Sequence, residues 1–399
     1  MHLITRNVNT AFREILHLFE TPLDAEEFFG RVIPIVKRPS RNGNVMMIDE
    51  PVTITYEKPR ERVLFNAARD ANPFFHLYES LWMLAGRNDV ESLSYYNKRM
   101  TEFSDDGKTL NGAYGYRWRH AKYERDDHGM YDPGPSTDRV DQLDILVDHL
   151  KADPTSRRAV LQMWNVEDDL LKINSDESGL GVPYSKDVCC NTAAYFSIRD
   201  TDEYDRAKDA RPHQYVLDMT VTNRSNDLIW GMLGANYVHF TFLQEYMAAR
   251  IGVEVGRYNH FTNNLHVYDW NWKPDEWLKN AEVQDYRVHV GAPAEFEYSF
   301  PNGQRNSFIP LVKDPATFDR ELPRFVERFS GKTPVEELCV DWKEPFLMDV
   351  AQPMLIAFAC HKERDYNGAF AGIPEIAADD WRVAATQWLT KRSEEHAGK

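Results

Sequence analysis

The 399-residue sequence has few cysteines, and their number and spacing limit what the protein can be. Cys189, Cys190, Cys339 and Cys360 match no zinc-site spacing and give too few pairs for the disulfide framework of so long a chain. We therefore expect a reducing, cytoplasmic setting, in which a cysteine is either a buried apolar residue or a nucleophile.

The sequence also lacks an excess of positive charge and any long apolar run. Lys and Arg total 47 against 63 Asp and Glu, a net charge of −16, which disfavours duplex DNA and anionic membranes as partners. No apolar run approaches the roughly 18 residues of a membrane-spanning helix. The N-terminal stretch MHLITRNVNTAF lacks the apolar core of a signal peptide. We expect no membrane segment and no direct nucleic-acid binding, whereas an anionic small molecule is compatible with a few converging arginines.

Local patterns predict an α+β protein with a large mixed sheet covered by helices. The stretch Asn72–Gly86 predicts a buried helix, since Asn72 can cap it, Pro73 suits its first position and Gly86 suits its end. Residues Tyr215–Arg224 alternate between apolar and polar and predict a half-buried strand. The other predicted elements are strands at Ala159–Trp164, Thr192–Ile198 and Tyr258–Tyr268, a helix at Tyr237–Arg250, and helices from Pro323 onward that end in Asp379–Lys391.

Three side chains are candidates for covalent and acid–base chemistry. One of the adjacent Cys189 and Cys190 becomes a nucleophile if a positive charge such as Arg224 favours its thiolate; otherwise both are small buried apolar residues. Glu79 lies inside an apolar helix, where a carboxylate is costly unless it is paired or neutralised. It is therefore either a general acid or base, or one half of a structural ion pair.

Several polar side chains are candidates for ligand binding. Arginines from separate loops, Arg157-Arg158 and Arg41, can grip a phosphate through paired hydrogen bonds, or form surface salt bridges instead. Asn236, where the chain enters a predicted helix, can offer a donor and an acceptor to a nucleobase edge, or serve only in the turn. His266 and Tyr268, two apart on a predicted strand, can both reach one hydroxyl, or be core residues.

Taken in order, these motifs resemble the thymidylate synthase and deoxypyrimidylate hydroxymethylase superfamily, and most closely its phage-type hydroxymethylase branch. The order is far more specific than any single motif. The resemblance implies a thymidylate synthase-like fold over residues 1–300, with a mainly helical C-terminal extension over residues 301–399 packed on the core. The matching residues are Arg41, Glu79, Tyr114, Arg157-Arg158, Cys190, Arg224-Ser225-Asn226-Asp227, Asn236 and His266-Val267-Tyr268.

The resemblance implies a role for each of these residues. Cys190 is the nucleophile, with Asn191 beside it in the catalytic group; Cys189 is the alternative, because some hydroxymethylases carry a Cys-Thr-Asn-Thr pattern. Glu79 orders water and shuttles protons, and Tyr114 belongs to the proton-abstraction network. The implied binding residues are Arg41, Arg224 and Ser225 on the phosphate, Arg157 and Arg158 donated to it by the partner subunit of a homodimer, Asn236 on the base, His266 and Tyr268 on the sugar 3′-hydroxyl, and Asp227 and Trp82 on the folate.

The implied chemistry accounts for these residue types. Pyrimidine C6 is a weak electrophile, so a thiolate must add there to make C5 nucleophilic. C5 then attacks the methylene of the implied co-substrate, 5,10-methylenetetrahydrofolate, and no metal is needed. Loss of the C5 proton and of tetrahydrofolate leaves an exocyclic methylene, which hydride from the folate converts to a methyl group and water converts to a hydroxymethyl group.

Particular residues bear on the substrate and the product. Asn236 suits uracil, since cytosine-specific relatives tend to carry Asp, so dUMP is favoured over dCMP; Ala235 is the competing position for this role. Asn191 stands where synthases carry His, and the chain ends in charged SEEHAGK rather than a short apolar tail. We therefore predict 5-hydroxymethyl-dUMP as the product. The alternatives are thymidylate synthesis, dCMP hydroxymethylation, and an inactive nucleotide-binding scaffold whose C-terminal tryptophans face a partner.

Overall fold

The computed structural model describes residues 1–20, 32–40, 43–124, 137–170, 173–174, 182–183, 185–201, 215–283 and 308–398. Within these ranges the chain has the predicted α+β composition. The strands, in chain order, are β1 (His2–Thr5), β2 (Ile35–Ser40), β3 (Gly43–Ile48), β4 (Val52–Tyr56), β5 (Ala121–Glu124), β6 (Thr137–Val140), β7 (Val160–Gln162), β8 (Ile173–Asn174), β9 (Val182–Pro183), β10 (Asn191–Asp200), β11 (Tyr215–Asn223), β12 (Asn226–Asp227), β13 (Glu254–Thr262) and β14 (Leu265–Tyr268).

The helices lie around these strands and fill the C-terminal part of the chain. The α-helices are α1 (Val8–Glu20), α2 (Pro73–Leu84), α3 (Val90–Tyr96), α4 (Met100–Phe103), α5 (Tyr114–Arg119), α6 (Gln142–Ala152), α7 (Val166–Asp169), α8 (Ala235–Ile251), α9 (Pro274–Val283), α10 (Pro315–Arg328), α11 (Gln352–Lys362), α12 (Tyr366–Ala371) and α13 (Asp379–Ala397). Two π-helical turns lie at Leu228–Met232 and Leu347–Ala351. No helix in the described ranges combines the length and the apolar character needed to cross a membrane.

The larger sheet of the described chain has the strand order β1-β4-β13-β11-β10-β7. β1 runs parallel to β4 and β11 runs parallel to β13, whereas β10 is antiparallel to both β11 and β7. A smaller sheet has the order β12-β14-β3-β2. The predicted large mixed sheet is therefore present.

Helix α8 packs on β11 and β13, and α2 packs on α8. Gln244 of α8 donates a hydrogen bond to the backbone oxygen of Leu217 in β11, at 2.8 Å. The α2 helix begins as predicted, because the Asn72 side chain accepts the backbone N–H of Phe75. It also ends as predicted before Gly86, whose φ of +70° suits glycine. Helix α8 thus covers the centre of the sheet, and α2 forms a second layer over α8.

One predicted strand is wrong. The single strand predicted over Tyr258–Tyr268 is divided between β13 in the larger sheet and β14 in the smaller sheet. The division falls at two asparagines: the backbone N–H of Asn263 donates to Asn223 O, and Asn264 O accepts from the backbone N–H of Asn226. These backbone bonds turn the chain from one sheet into the other.

The C-terminal helices begin earlier than predicted and pack on the N-terminal half of the chain. Helix α10 begins at Pro315 rather than Pro323, because Asp314 caps it and Pro323 is accommodated within the helix. The Tyr78 hydroxyl of α2 donates to the backbone oxygen of Val326 in α10, at 2.9 Å. Helices α10, α11 and α13 therefore contact the same helix that carries Glu79.

The C-terminal tryptophans are core residues. Trp342, Trp381 and Trp388 are buried in the hydrophobic cluster that also contains the larger sheet and α2, so they do not form a partner surface. The Trp388 ring lies 5.5 Å from the Phe74 ring of α2. The predicted domain boundary between residues 300 and 301 lies outside the described residues and stays a prediction.

Candidate active site

The two adjacent cysteines lie in different environments just before β10. Cys189 is fully buried, its Sγ lies 3.5 Å from Gly112 O, and burial raises the pKa of its thiol well above the ordinary value. Cys190 is half-buried, and Nη2 of Arg224 lies 3.7 Å from its Sγ. A guanidinium at this distance favours thiolate over thiol. Of the two cysteines, Cys190 therefore has the environment of a nucleophile.

Hydrogen bonds hold Arg224 against the cysteine loop. Its Nε donates to Cys189 O at 2.8 Å and its Nη2 donates to Val188 O at 3.1 Å. Its backbone N–H donates to Cys190 O at 2.9 Å, and its guanidinium lies 5.7 Å from the centre of the Trp164 ring. The charge is thus fixed beside the sulfur while the residue as a whole stays exposed.

A buried ion pair ties this loop to two other segments. Asp169 Oδ1 accepts the backbone N–H of Cys189 at 3.2 Å and an N–H of Arg117 at 3.0 Å. Arg117 also donates to Asn111 O and to Met163 O, each at 2.8 Å. One guanidinium therefore links the segment before α5, the end of β7 and the cysteine loop. Sequence analysis missed this pair because its members are 52 positions apart and form no motif.

Tyr114 begins α5 beside Cys190. Burial raises the pKa of Tyr114 well above its ordinary value, and a backbone hydrogen bond from Cys190 opposes that rise. Two residues earlier, the backbone N–H of Gly112 donates to Asp187 Oδ2 at 2.7 Å. Burial raises the pKa of Asp187 to about 6. The hydrogen bond between Gly112 and Asp187 thus joins the segment that carries Tyr114 to the segment that carries Cys190.

Glu79 approaches the same region from α2. One turn after Glu79, the backbone of Met83 packs so closely on α5 that a Cβ at Gly115 would lie 2.0 Å from Met83 O. The Glu79 side chain is buried, and its Oε2 lies 2.9 Å from Nε2 of His239 in α8. Sequence analysis missed His239, because α8 is buried on nearly all sides and a histidine in it follows no periodic pattern.

Asn236 lies in the first turn of α8, one turn before His239. Its Nδ2 donates to Asn226 Oδ1 at 3.4 Å, and Asn226 Nδ2 lies 2.8 Å from Nε2 of His260. Burial lowers the pKa of His260 to about 3, so its ring is neutral and Nε2 can accept. These bonds turn the nitrogen of the Asn236 amide toward Asn226 and its oxygen away.

The predicted sugar ligands lie beside the predicted folate ligand. His266 in β14 is the register partner of Asp227 in β12. The rings of His266 and Tyr268 meet edge to face at 5.3 Å, and Nδ1 of His266 lies 2.9 Å from Asn264 Oδ1. Burial lowers the pKa of His266, which keeps its ring neutral and suited to a hydroxyl.

Asp227 and its neighbours fit a folate. Asp227 accepts the backbone N–H of Trp230 with one oxygen; its buried Oδ2 has no hydrogen-bond partner in the described chain. Burial raises the pKa of Asp227 to about 6, although nearby Arg69 opposes the rise. Trp230 is 41% exposed, and the guanidinium groups of Arg69 and Arg99 lie 5.1 and 5.5 Å from its ring centre. An acceptor, an exposed indole and two cations suit a heteroaromatic ring with N–H donors and an anionic tail.

The remaining predicted residues are less directly connected to this site. Asn191 is fully buried, and neither atom of its amide has a hydrogen-bond partner among the described residues. Trp82 is buried, and its indole N–H donates to Asp89 Oδ1 at 3.2 Å, so its assignment to the folate stays a prediction. Arg41 lies outside the described residues. The described ranges contain no group of three His, Cys, Asp or Glu residues arranged to hold a metal ion.

The predicted phosphate ligands fall into two places. Ser225 follows Arg224 and is half-buried next to the Cys190 loop. Arg157 and Arg158 are exposed before β7, which runs antiparallel to β10 with Val160 opposite Tyr195. They lie toward the far end of β10, roughly 20 Å from the cysteines at the rise per residue of a strand. Within one chain, the pair is too distant to share a phosphate with Arg224.

Comparison with known proteins identifies the family. Residues 65–291 match the family model described as thymidylate synthase. The match covers more than half of the chain, and the chain belongs to the thymidylate synthase family. The predicted family and the predicted class of enzyme, a one-carbon transferase, are confirmed.

Three similar curated proteins come from bacteriophages. The chain is 38% identical over 392 residues to the deoxyuridylate hydroxymethyltransferase of Pseudomonas phage M6, which covers 97% of this chain and 93% of that protein. The protein of the same name from Bacillus phage SP01 is 40% identical over 218 residues, 55% of this chain and 49% of its own. That from Delftia phage PhiW-14 is 25% identical over 339 residues, 84% and 83% of the two chains.

Proposed function

We propose that the protein is a deoxyuridylate hydroxymethyltransferase, which forms 5-hydroxymethyl-dUMP from dUMP, water and 5,10-methylenetetrahydrofolate. The observation that carries this proposal is the half-buried Cys190 thiol 3.7 Å from the Arg224 guanidinium. It occurs in a chain that aligns over 97% of its length with the phage M6 protein of that name. The same reaction class with hydride in place of water yields dTMP, which is the second outcome to be tested.

The cysteine side of the site supports nucleophilic addition. The Cys190 thiolate adds to C6 of the uracil ring, and Arg224 favours the thiolate and meets the phosphate. Tyr114 and Glu79 hold and move the protons that C5 and water release. What supports this is the nearness of Tyr114 to Cys190 and the close packing of α5 on the turn of α2 that follows Glu79. Ser225 completes the phosphate site from the same chain, and Arg41, outside the described residues, stays a predicted phosphate ligand.

The opposite side of the site supports recognition of the base and sugar. The amide oxygen of Asn236 faces away from Asn226 and accepts the N3–H of uracil, while a second amide N–H donates to O4. A cytosine ring presents the opposite pattern at these two atoms, so the bonds that orient the amide favour uracil. His266 and Tyr268 bind the 3′-hydroxyl.

5,10-Methylenetetrahydrofolate supplies the one-carbon unit when it is bound. Asp227 accepts a hydrogen bond from its pterin with Oδ2, which has no hydrogen-bond partner in the part of the chain that the structure describes. The exposed indole of Trp230 packs on its aromatic portion, and Arg69 and Arg99 favour the negative charge of its tail.

We further propose a homodimer formed through the open face of the larger sheet. The face opposite α8 carries Val160 and Tyr195, register partners that are 41% and 47% exposed. Arg157 and Arg158 lie at the edge of this face, too far from Arg224 of their own chain to share its phosphate. When a second chain packs on this face, Arg157 and Arg158 of the first chain reach the phosphate site of the second chain.

The product identifies the function. The protein is incubated with dUMP and 5,10-methylenetetrahydrofolate, and the nucleotide is identified by mass spectrometry, with a Cys190→Ala variant as the control. A nucleotide heavier by CH2O, absent with the variant, supports the proposal. A nucleotide heavier by CH2 assigns thymidylate synthesis instead. If no product forms from dUMP or from dCMP, both hydroxymethylation and thymidylate synthesis are contradicted.

A further inference from the structure

His239 and Glu79 form a buried pair between two helices. Both side chains are at least nine-tenths buried, and Nε2 of His239 lies 2.9 Å from Oε2 of Glu79. The groups lie at ion-pair distance without the alignment of a full hydrogen bond. A buried carboxylate needs such a neighbour, because an isolated one is costly in the protein interior.

The pair lies between the parts of the site described above. Asn236 lies one turn before His239 on the same face of α8, and Phe240 directly follows His239. The Phe240 ring lies 6.1 Å from the ring of Tyr114, which adjoins the nucleophile. Across α2, the close approach of Met83 to α5 brings the turn after Glu79 against the same tyrosine segment.

His239 differs from a histidine whose role is only to fill the core. His260, fully buried nearby, has both ring nitrogens engaged: Nε2 with Asn226 and Nδ1 with the Tyr258 hydroxyl, at 2.8 and 3.0 Å. In His239, Nδ1 has no hydrogen-bond partner among the described residues. Buried ring nitrogens are normally satisfied, and one that is not indicates a site for water or substrate.

We propose that His239 is a positioning residue that holds the Glu79 carboxylate for the addition of water. This inference rests on the proposed function. In the step concerned, the oxygen of water bonds to the exocyclic methylene carbon and one water proton passes to Glu79. The electron pair of the C5–methylene double bond moves into the ring, and the cysteine thiolate leaves C6 as the C5–C6 double bond forms. No oxidant or reductant is needed.

The test separates positioning from a structural role. In His239→Leu, kcat for hydroxymethyl formation falls by up to about 100-fold, because the carboxylate loses its orientation, while the Kd for dUMP changes little. His239→Gln, which retains a donor, recovers part of the rate. His361→Leu, in the C-terminal helices, is the control with unchanged kcat. Circular dichroism and thermal unfolding establish that each variant is folded.

A double mutant shows whether His239 acts through Glu79. The variant Glu79→Gln with His239→Leu is no slower than Glu79→Gln alone if the two act as a unit. Additive losses overturn the inference, and so does a His239→Leu variant with wild-type kcat or with weakened dUMP binding alone. In each of these cases the wild-type enzyme still makes hydroxymethyl product. A wild-type protein that makes none removes the proposed function and the inference together.

Discussion

Arg117 and Asp169 form a buried ion pair in which one guanidinium and one carboxylate hold three segments of the active site. The carboxylate accepts the backbone N–H of Cys189, and the guanidinium donates to Asn111 O and Met163 O. The position of Cys190, the proposed nucleophile, therefore depends on two residues outside the predicted catalytic and binding set.

Breaking this pair is expected to destabilise the protein strongly. Asp169→Asn leaves the Arg117 charge buried without its partner, and we expect a loss of about 3 to 5 kcal/mol in the free energy of unfolding, measured with urea. The control is Lys122→Ala, which removes an exposed pair with Glu167 and is expected to cost less than about 1 kcal/mol. Equal losses in the two variants contradict the account.

The contact between α5 and α2 leaves no room for a side chain. Gly115→Ala places a Cβ 2.0 Å from Met83 O, so we expect a loss of about 1 to 3 kcal/mol in unfolding free energy, together with lower activity as Tyr114 shifts. Gly372→Ala is the matched control, since its Cβ meets nothing closer than 3.9 Å. Thermal unfolding and product formation are measured for both, and an unaffected Gly115→Ala contradicts the account.

Asp380 makes stability depend on pH. Burial raises its pKa from the ordinary 3.8 to about 6. Between pH 4 and 6, roughly, the folded chain keeps a proton that the unfolded chain has released, so the free energy of unfolding falls as pH rises through this window. Asp187 and Asp227 act in the same direction.

The substitution Asp380→Asn therefore removes part of this decrease in unfolding free energy with rising pH. We expect the variant to become more stable relative to wild type as the pH rises from about 4 to 6. The free energy of unfolding is measured with denaturant at each pH. A constant difference between Asp380→Asn and wild type across this window contradicts the raised pKa.

A shared site predicts complementation between inactive chains. Cys190→Ala lacks the nucleophile, and the double variant Arg157→Ala with Arg158→Ala lacks the donated arginines. Mixing them after partial denaturation forms mixed dimers in which one site has Cys190 from one chain and both arginines from the other. We expect hydroxymethylation to return in the mixture and to stay absent in each variant refolded alone. A mixture that stays inactive while dimers form contradicts the donation of these arginines.

Local signals made part of the fold predictable. Asn72, Pro73 and Gly86 each act on the backbone beside them, so α2 has the predicted start and end. Tyr258–Tyr268 was predicted as one strand, because the backbone hydrogen bonds that divide it at Asn263 and Asn264 come from a distant part of the chain, Asn223 and Asn226. Tertiary contacts therefore determine where the predicted strand is divided into β13 and β14.

The candidate site was predictable only in part for the same reason. The order of its motifs indicated the family, and the comparisons confirm it. Residue type alone left Cys189 and Cys190 open, because exposure and the neighbouring Arg224 are properties of the fold. Glu79 and His239 lie 160 positions apart, and only the packing of α2 on α8 joins them.

The central claim is that the Cys190 sulfur adds to the pyrimidine ring, and a trapped adduct tests it most directly. With fluorine at C5 of dUMP, the proton that must leave is missing, so the covalent complex with 5,10-methylenetetrahydrofolate persists. Intact-protein and fragment mass spectrometry locate it. We predict an adduct on Cys190 in the wild type and in Cys189→Ala, and none in Cys190→Ala. An adduct on Cys189, or none in a protein that still forms product, contradicts the account.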